Sequence, residues 1–331
     1  MLEDLRPLFK GEIEFDTKTL ETYSHDASLL EVRPRVVVFP KDVQDIKALV
    51  HYVDQQKIND QSLAITPRAA GTDMSGGAVG ESIVMDVNRH MQGTLDVGVT
   101  DARVLPGTFY RDFEIETLKK NLILPCYTAS KNLCSVGGMV ANNSAGEKTL
   151  SHGKMEDYVK ELKVVFSDGN EYPVRAITKG ELDTKMDQRN FEGLVYRSIF
   201  NLIEKNKDKI SAAKPKVSKN SAGYYIWNVW DGTTFDMTKL LVGSQGTLGI
   251  VTEAKIRLVP IQKKSKLFVI FLRDLSLVSK IVNEVLPLHP ETLESYDDNT
   301  LKLAVKFLPS MMRTMKTHHF IRLLLKFLPE V

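Results

Sequence analysis

The chain has 331 residues, with 44 Lys and Arg against 42 Asp and Glu, 43% hydrophobic and 26% charged residues. A composition so close to the globular average excludes wholesale disorder, and the length fits about two domains of ~150 residues. A net charge of +2 lacks the basic excess of a nucleic-acid binder. Two cysteines, Cys126 and Cys134, exclude a disulfide framework and fit a reduced, cytoplasmic setting. The charged N-terminus has no apolar signal-peptide core, and no apolar run reaches the ~18 residues of a spanning helix.

In chain order, the first 30 residues read as a lead-in helix and an irregular segment. Val36 to Phe39 is a β-branched and aromatic run ended by Pro40, which predicts a strand. Asp42 to Lys57 carries Val43, Ile46, Leu49, Val50 and Val53 at helical spacing. Leu63 to Thr66 and Ile83 to Val87 are further strands, giving β-α-β-β with a glycine-rich loop between the last two. Leu162 to Phe166 predicts a strand and Ser167-Asp168-Gly169-Asn170 a hairpin turn. Phe191 to Ile210 reads as one amphipathic helix with Leu194, Val195, Ile199, Leu202 and Ile203 inward. Ile250 to Val259 is a strand stopped by Pro260. From Ile261 the character changes: Leu267 to Leu272 reads as a strand and Leu275 to Leu286 as a helix. No glycine follows Gly249, so this last block resembles the opening of a domain that stops early.

Glycine concentrates in segments that carry chemistry. Pro67-Arg68-Ala69-Ala70-Gly71-Thr72-Asp73-Met74-Ser75 and the residues after it are small enough for backbone N–H groups to face one concavity and bind a phosphate, or simply to turn the chain. Gly71 to Gly76 has P-loop spacing, but Gly77-Ala78 stands where Lys-Ser/Thr is required, which disfavours triphosphate hydrolysis. The Rossmann G-x-G-x-x-G is absent here as well. Cys134-Ser135-Val136-Gly137-Gly138-Met139-Val140-Ala141-Asn142-Asn143-Ser144-Ala145-Gly146 has almost no bulk and almost no charge. It admits either a large flat ligand or a close helix contact. Gly243 to Gly249 places a glycine at every third position, and Pro106-Gly107 and Pro125 mark shorter turns.

The order of these words resembles the FAD-binding (PCMH-type) domain of the vanillyl-alcohol oxidase superfamily, nearest its D-lactate, glycolate and D-2-hydroxyglutarate dehydrogenase branch. They are YSHDAS from Tyr23, PRAAGTDMSGGA from Pro67, LPG from Leu105, SVGGMVANNSAG from Ser135, HGKMEDYV from His152 and GSQGTLGIVTEAKIRLVP from Gly243. The resemblance implies an α+β fold. Residues 1–31 would be a lead-in, residues 32–260 the FAD-binding domain in subdomains 32–93 and 94–260, and residues 261–331 the start of an α/β cap that bears the substrate pocket. It also implies FAD extended between the subdomains. Pro67 to Ser75 would hold the pyrophosphate. Pro106, Gly107, Pro125 and the segment with Cys134, Ser135, Val136, Gly137, Gly138, Ala141, Asn142, Ser144 and Gly146 would lie along the flavin and ribityl chain. Gly153 belongs to the same set, and Gly249, Ile250 and Val251 would close over the adenine half. The first loop offers no His or Cys for a covalent flavin link, so dissociable FAD is expected.

The implied reaction is oxidation of a 2-hydroxy acid, with an unnamed electron acceptor. The branch's catalytic and metal-binding histidines lie beyond Val331, and adjacent His318 and His319 do not match them. No catalytic residue and no metal site is assigned, and His152, where the family has a tyrosine, receives no role. Turnover by this chain alone is therefore expected to be slow. The alternative is a non-catalytic flavin-binding fragment or split subunit, needing a partner chain that completes the cap. Cys134 is either a small buried filler or a redox group beside the flavin. The tail from Leu301 holds six Lys or Arg and one acid, Glu330. It reads either as an interfacial helix touching the inner membrane face or as cap helices without their packing partners.

Overall fold

A computed structural model describes residues 5–300 except 218 and 263, together with 302, 303, 306 and 307. The chain divides into two compact units, Met1–Glu291 and Thr292–Val331. In the second, Asp297 Oδ1 caps a helical start by accepting from Thr300 N–H at 2.7 Å. The basic tail from 308 onward, with His318 and His319, lies outside the described residues.

In the first unit, β1 (Glu12–Glu14), β2 (Val36–Phe39), β3 (Ile65–Arg68) and β4 (Ile83–Asp86) form a sheet in the order β1-β2-β4-β3. β2, β4 and β3 are parallel, and β1 runs antiparallel on β2 with Glu12 opposite Phe39. Both faces of β2 are covered, which is why its sequence is an unbroken apolar run. Val36 and Val38 face the core that contains Ile46, Leu49 and Val53, whereas Val37 and Phe39 pack with Leu20 and Val84 on the other side. The helix Val43–Gln56 buries the predicted stripe, and its Asp42 cap accepts from Gln44 N–H at 2.8 Å. Buried Asp45 accepts from the backbone N–H groups of Lys10, Gly11 and Lys41 at 2.8–3.0 Å, which ties the lead-in to the sheet.

The second sheet is antiparallel and holds β5 (Thr94–Val97), β6 (Asp101–Val104), β8 (Val159–Val165), β9 (Glu171–Thr178), β10 (Thr234–Asp236) and β11 (Ile250–Arg257), in the order β10-β9-β8-β11-β6-β5. Its inner face and the flanking helices enclose the larger core around Tyr110, Met155, Leu162, Tyr196 and Phe235. β11 alternates inward Ile250, Thr252, Ala254 and Ile256 with outward Glu253 and Lys255. A short pair, β7 (Leu122–Ile123) with β12 (Val259–Pro260), closes one end. The two sheets meet where Val165 and Ile250, at the ends of β8 and β11, enter the core beneath the first sheet.

Three readings need correction. The expected strand Leu63 to Thr66 forms two residues later, as β3, because parallel pairing with β4 sets its register, Ile65 opposite Ile83. Phe191 to Ile210 is two helices, Phe191–Lys205 and Lys207–Ala213, broken at Asn206, whose side-chain amide donates to the Leu202 carbonyl at 2.8 Å. The first exposes Leu194 (53%) and Leu202 (49%) and buries Tyr196 and Ile203, so its inward stripe is rotated from the expected one. Leu267 to Leu272 is not a strand: no described strand lies beside it, and Leu267, Phe268, Val269, Ile270 and Phe271 are exposed. A strand gains its hydrogen bonds only from a neighbour, so β-forming composition alone leaves this run unpaired.

Candidate functional site

The first glycine-rich segment leaves the C-terminal end of β3, where a parallel sheet opens a crevice for ligands. Between Ala70 and Ser75, no backbone N–H group finds an acceptor among the described residues. Ala70 to Asp73 are half-buried, where main-chain donors are rarely left unpaired, so this part of the run is a ready anion cradle. Gly71 shapes it: φ is +63° and its carbonyl accepts the Ala27 N–H at 3.0 Å. Arg68 lies beneath the loop and turns inward. Its Nη1 donates to the carbonyls of Ala78 at 3.3 Å and Tyr23 at 3.5 Å, and its guanidinium stacks 4.9 Å from the Tyr23 ring centroid. Burial pulls its pKa down, opposed by Tyr23, Asp86 and Asp26.

Buried Asp86 links this loop to the next. It accepts from the Tyr23 hydroxyl at 2.8 Å and from the N–H groups of Asn88 and Arg89 at 2.6 and 3.1 Å. Burial pushes its carboxyl up, outweighing those donors. Asn88 Oδ1 then accepts from Ser135 Oγ at 2.9 Å, at the start of the second glycine-rich segment. That segment forms the helix Val136–Ala141. Its first turn lies on the Pro106-Gly107 turn: Gly137 N–H donates to the Pro106 carbonyl at 2.8 Å, and a Cβ on Gly137 would stand 2.7 Å from Pro106 Cβ. Only a residue without a side chain permits that approach. The third segment docks on the end of this helix through Gly243 N–H to the Val140 carbonyl at 3.0 Å and Gln245 N–H to the Ala141 carbonyl at 2.9 Å.

The three segments enclose a cavity of about 570 Å³. Its wall brings together Pro67 to Met74, Pro106, Cys134, Ser135, Gly137, Gly138, Ala141, Asn142, Ser144, Gly249, Ile250 and Val251. Ser75 faces an adjoining annex of about 720 Å³, bounded by residues 219–224 and by Asn142, Ser244, Gln245 and Thr247. Gly107, Pro125, Val136, Gly146 and Gly153 do not line the cavity, and Val136 is fully buried in the large core. Sequence reasoning missed Ala27, Thr128, Ser130, Leu133, Leu241 and Gln245, which also line the cavity. YSHDAS and GSQG already contained Ala27 and Gln245, but nothing in those words distinguished them from turn residues.

Among the cavity-lining residues, Arg68, Asp73 and Cys134 are titratable, and none is a histidine. The Cys134 thiol is pushed up by burial, against hydrogen bonds from Thr128 and Ser130 that favour the thiolate. It is therefore held as a thiol at neutral pH. Cys126 is buried in the large core, away from the cavity wall. Among the described residues, no group of His, Cys, Asp and Glu could hold a metal ion, and no helix is long and apolar enough to cross a membrane.

A crevice with an unpaired run of N–H groups at one end and a slim, small-residue wall along its length fits an extended ligand that carries phosphates and a flat ring. Residues 34–173 match the family model described as an FAD binding domain. Residues 34–173 are therefore an FAD-binding domain, and FAD is its cofactor. Solved structures of alkyldihydroxyacetonephosphate synthase share the fold: one has a TM-score of 0.54 at 17% identity, over 80% of this chain and 40% of that one. Among curated proteins, the chain is similar to D-2-hydroxyglutarate dehydrogenase of Pseudomonas putida, 27% identical over 90% of this chain and 30% of the relative. It is also similar to glycolate oxidase subunit GlcD of Bacillus subtilis, 26% identical over 84% and 49%. D-lactate dehydrogenase of Archaeoglobus fulgidus is 26% identical over 83% and 52%. The chain thus spans about a third to a half of the length of these relatives.

Proposed function

We propose that the chain is the flavin-bearing part of an oxidoreductase that oxidises a 2-hydroxy acid of the D-lactate, glycolate or D-2-hydroxyglutarate kind. The observation that carries the flavin site is the run of unpaired N–H groups from Ala70 to Ser75 at the mouth of a cavity walled by small residues. In this reading those amides receive the diphosphate. The Gly137 to Ser144 wall supports the flavin and ribityl chain, with Pro106 and Gly107 beneath it and Gly146 and Gly153 shaping its return. Gly249, Ile250 and Val251 cover the adenine half. When bound, the flavin supplies a hydride acceptor; the protein orients it and excludes water from one face. The reacting acid loses its α-hydrogen as hydride and its hydroxyl proton to a base.

No histidine lines the cavity and burial holds the Cys134 thiol protonated, which supports FAD held without a covalent bond. The names of the relatives support the substrate class, and the word "subunit" in one of them supports a partner polypeptide for this chain.

The test has two stages. Protein purified with FAD should be yellow and should release intact FAD into acid. Flavin left on the polypeptide would overturn the non-covalent reading, and a protein that stays colourless with added FAD would overturn the flavin site. The loaded protein is then mixed anaerobically with D-lactate, glycolate and D-2-hydroxyglutarate. A single turnover needs one hydride per flavin, so even a slow step bleaches the visible absorbance. Bleaching by one of these acids, absent with free FAD, is expected; no bleaching by any of them refutes the substrate class.

A further inference from the structure

Behind the cavity wall lies a charge pair that the flavin reading leaves unused. Lys154 and Glu156 are both 5% exposed, and Lys154 Nζ stands 3.3 Å from Glu156 Oε1. Four further groups complete the cluster. Asn143, 2% exposed and at φ +46°, donates from Nδ2 to Glu156 Oε2 at 2.7 Å, and its Oδ1 accepts from Glu156 N–H at 3.0 Å. Lys154 Nζ also donates to the Asn220 carbonyl and lies 4.7 Å from the Tyr225 ring centroid. From beneath, Lys239 Nζ donates to the Glu156 carbonyl.

The cluster connects two walls of one site. Asn143 sits between Asn142 and Ser144, which line the flavin cavity, and Asn220 lies in the 219–224 loop that bounds the annex. The loop is otherwise weakly held. Among the described residues, two side-chain hydrogen bonds reach residues 219–224 from outside: Lys154 to the Asn220 carbonyl, and the pair of Tyr224 OH and Thr247 Oγ1 at 2.8 Å. A buried ion pair gives little net stability over an apolar replacement of the same size, because desolvation offsets the attraction. What it does supply is fixed geometry, since each partner must be met at a set distance.

We propose that Lys154 is a positioning residue for the flavin site. With its charge balanced by Glu156, it holds the 219–224 loop at a set distance from the flavin-lining turn at Asn142 and Ser144, and so fixes the width of the annex. The inference rests on the flavin reading above. It concerns the spacing of the two walls, not contact with the cofactor.

The experiment compares wild type with Lys154→Met, Lys154→Met/Glu156→Gln, Lys154→Arg and Tyr224→Phe. Three quantities are read: FAD dissociation constant from fluorescence quenching, visible circular dichroism of the bound flavin, and thermal midpoint of the apoprotein. Lys154→Met should lower the midpoint, because it strands a buried carboxylate. The double variant removes that stranded charge and should regain most of the midpoint, yet still bind FAD at least tenfold more weakly than wild type, with altered dichroism. Lys154→Arg keeps a cationic donor within reach of the Asn220 carbonyl and should restore both flavin readouts. Tyr224→Phe is an exposed change that leaves the fold intact and releases the loop's other tether; it should raise the dissociation constant about threefold. Wild-type affinity and dichroism in the double variant would reduce the cluster to a structural element and overturn the proposal. If the double variant does not fold, unchanged flavin readouts in Tyr224→Phe overturn it instead. A wild-type protein that binds no FAD would defeat the flavin reading itself, so the two failures are separable.

Discussion

Gly71→Val is the sharpest test of the phosphate cradle. At φ +63° a β-branched residue is strained by about 1–3 kcal/mol. Its Cβ would also stand 2.7 Å from Arg68 Nη2 and 2.9 Å from Cζ. The guanidinium, the flexible end of its side chain, must then shift and strain its bonds to the carbonyls of Ala78 and Tyr23; hydrogen bonds from a charged group contribute about 1.5–3 kcal/mol each when buried and well formed. At 3.3 and 3.5 Å these two are long, so the lower end applies. The apoprotein can escape most of this cost by letting the loop swing into another conformation. FAD binding must then reverse that escape, so the strain appears in the affinity. Losing the equivalent of one such bond besides the strain comes to roughly 3–4 kcal/mol, a loss of about 10²–10³ in affinity. Gly71→Ala places the same Cβ at the same φ and lacks only the branch, so it should lose at least about tenfold. The assay is quenching of FAD fluorescence by apoprotein, beside thermal melts to show that the fold survives. A valine variant that binds FAD within threefold of wild type would show that the diphosphate is held elsewhere.

Arg68→Ala should weaken FAD binding less than Gly71→Val and lower the apoprotein's melting temperature, because its guanidinium is engaged with Tyr23 and Ala78 and ties β3 to them. The salt dependence of FAD affinity should stay as in wild type; a flatter dependence would mean that the guanidinium reaches the diphosphate after all. Cys134, with its thiol pKa raised by burial, carries less thiolate than a free cysteine at any given pH. Maleimide labelling of the native apoprotein should therefore be slow at neutral pH, quicken as pH rises towards the thiol's raised pKa, and be suppressed by FAD. Fast labelling at pH 7 read by intact mass, or labelling indifferent to FAD, would contradict its placement in the cavity wall.

The parts of the site that were legible in the sequence are those built from backbone. Small residues in Pro67 to Ala78 and Ser135 to Gly146 announce a close approach of main chain to ligand, because few other uses require so little bulk over so many positions. The stripe Ile46, Leu49, Val50 and Val53 was legible for a similar reason: one helix face is buried and the rest is solvated. Residues 191–210 were misjudged because spacing of three and four admits two neighbouring stripes. Which one is inward is decided by Phe235 and Trp230 packing on Tyr196 and Phe200, a contact between segments far apart in sequence. β1 escaped notice because Glu-Ile-Glu has no strand signal of its own and becomes a strand only by pairing with β2.

Arg68, Lys154 and Glu156 show where reading from sequence stops. Sequence assigns Arg68 to the phosphate loop without showing what its side chain meets, and it gives Lys154 and Glu156 of HGKMEDYV no role. The fold supplies both answers. Arg68 lines the cavity while its guanidinium is held by the Ala78 carbonyl, and Lys154 and Glu156 are buried against Asn143. The common cause is the division of labour at the cavity. Backbone amides and small side chains form its lining, so the loops keep their shape only if something behind them is stiff. Charged side chains are long enough to reach across that gap and strong enough, when desolvated, to hold a carbonyl in place. The residues that bind are then the featureless ones, and the residues with evident chemistry hold them in position. That arrangement also explains why substitution behind the wall, at Lys154, is expected to alter FAD affinity without removing a contact to FAD.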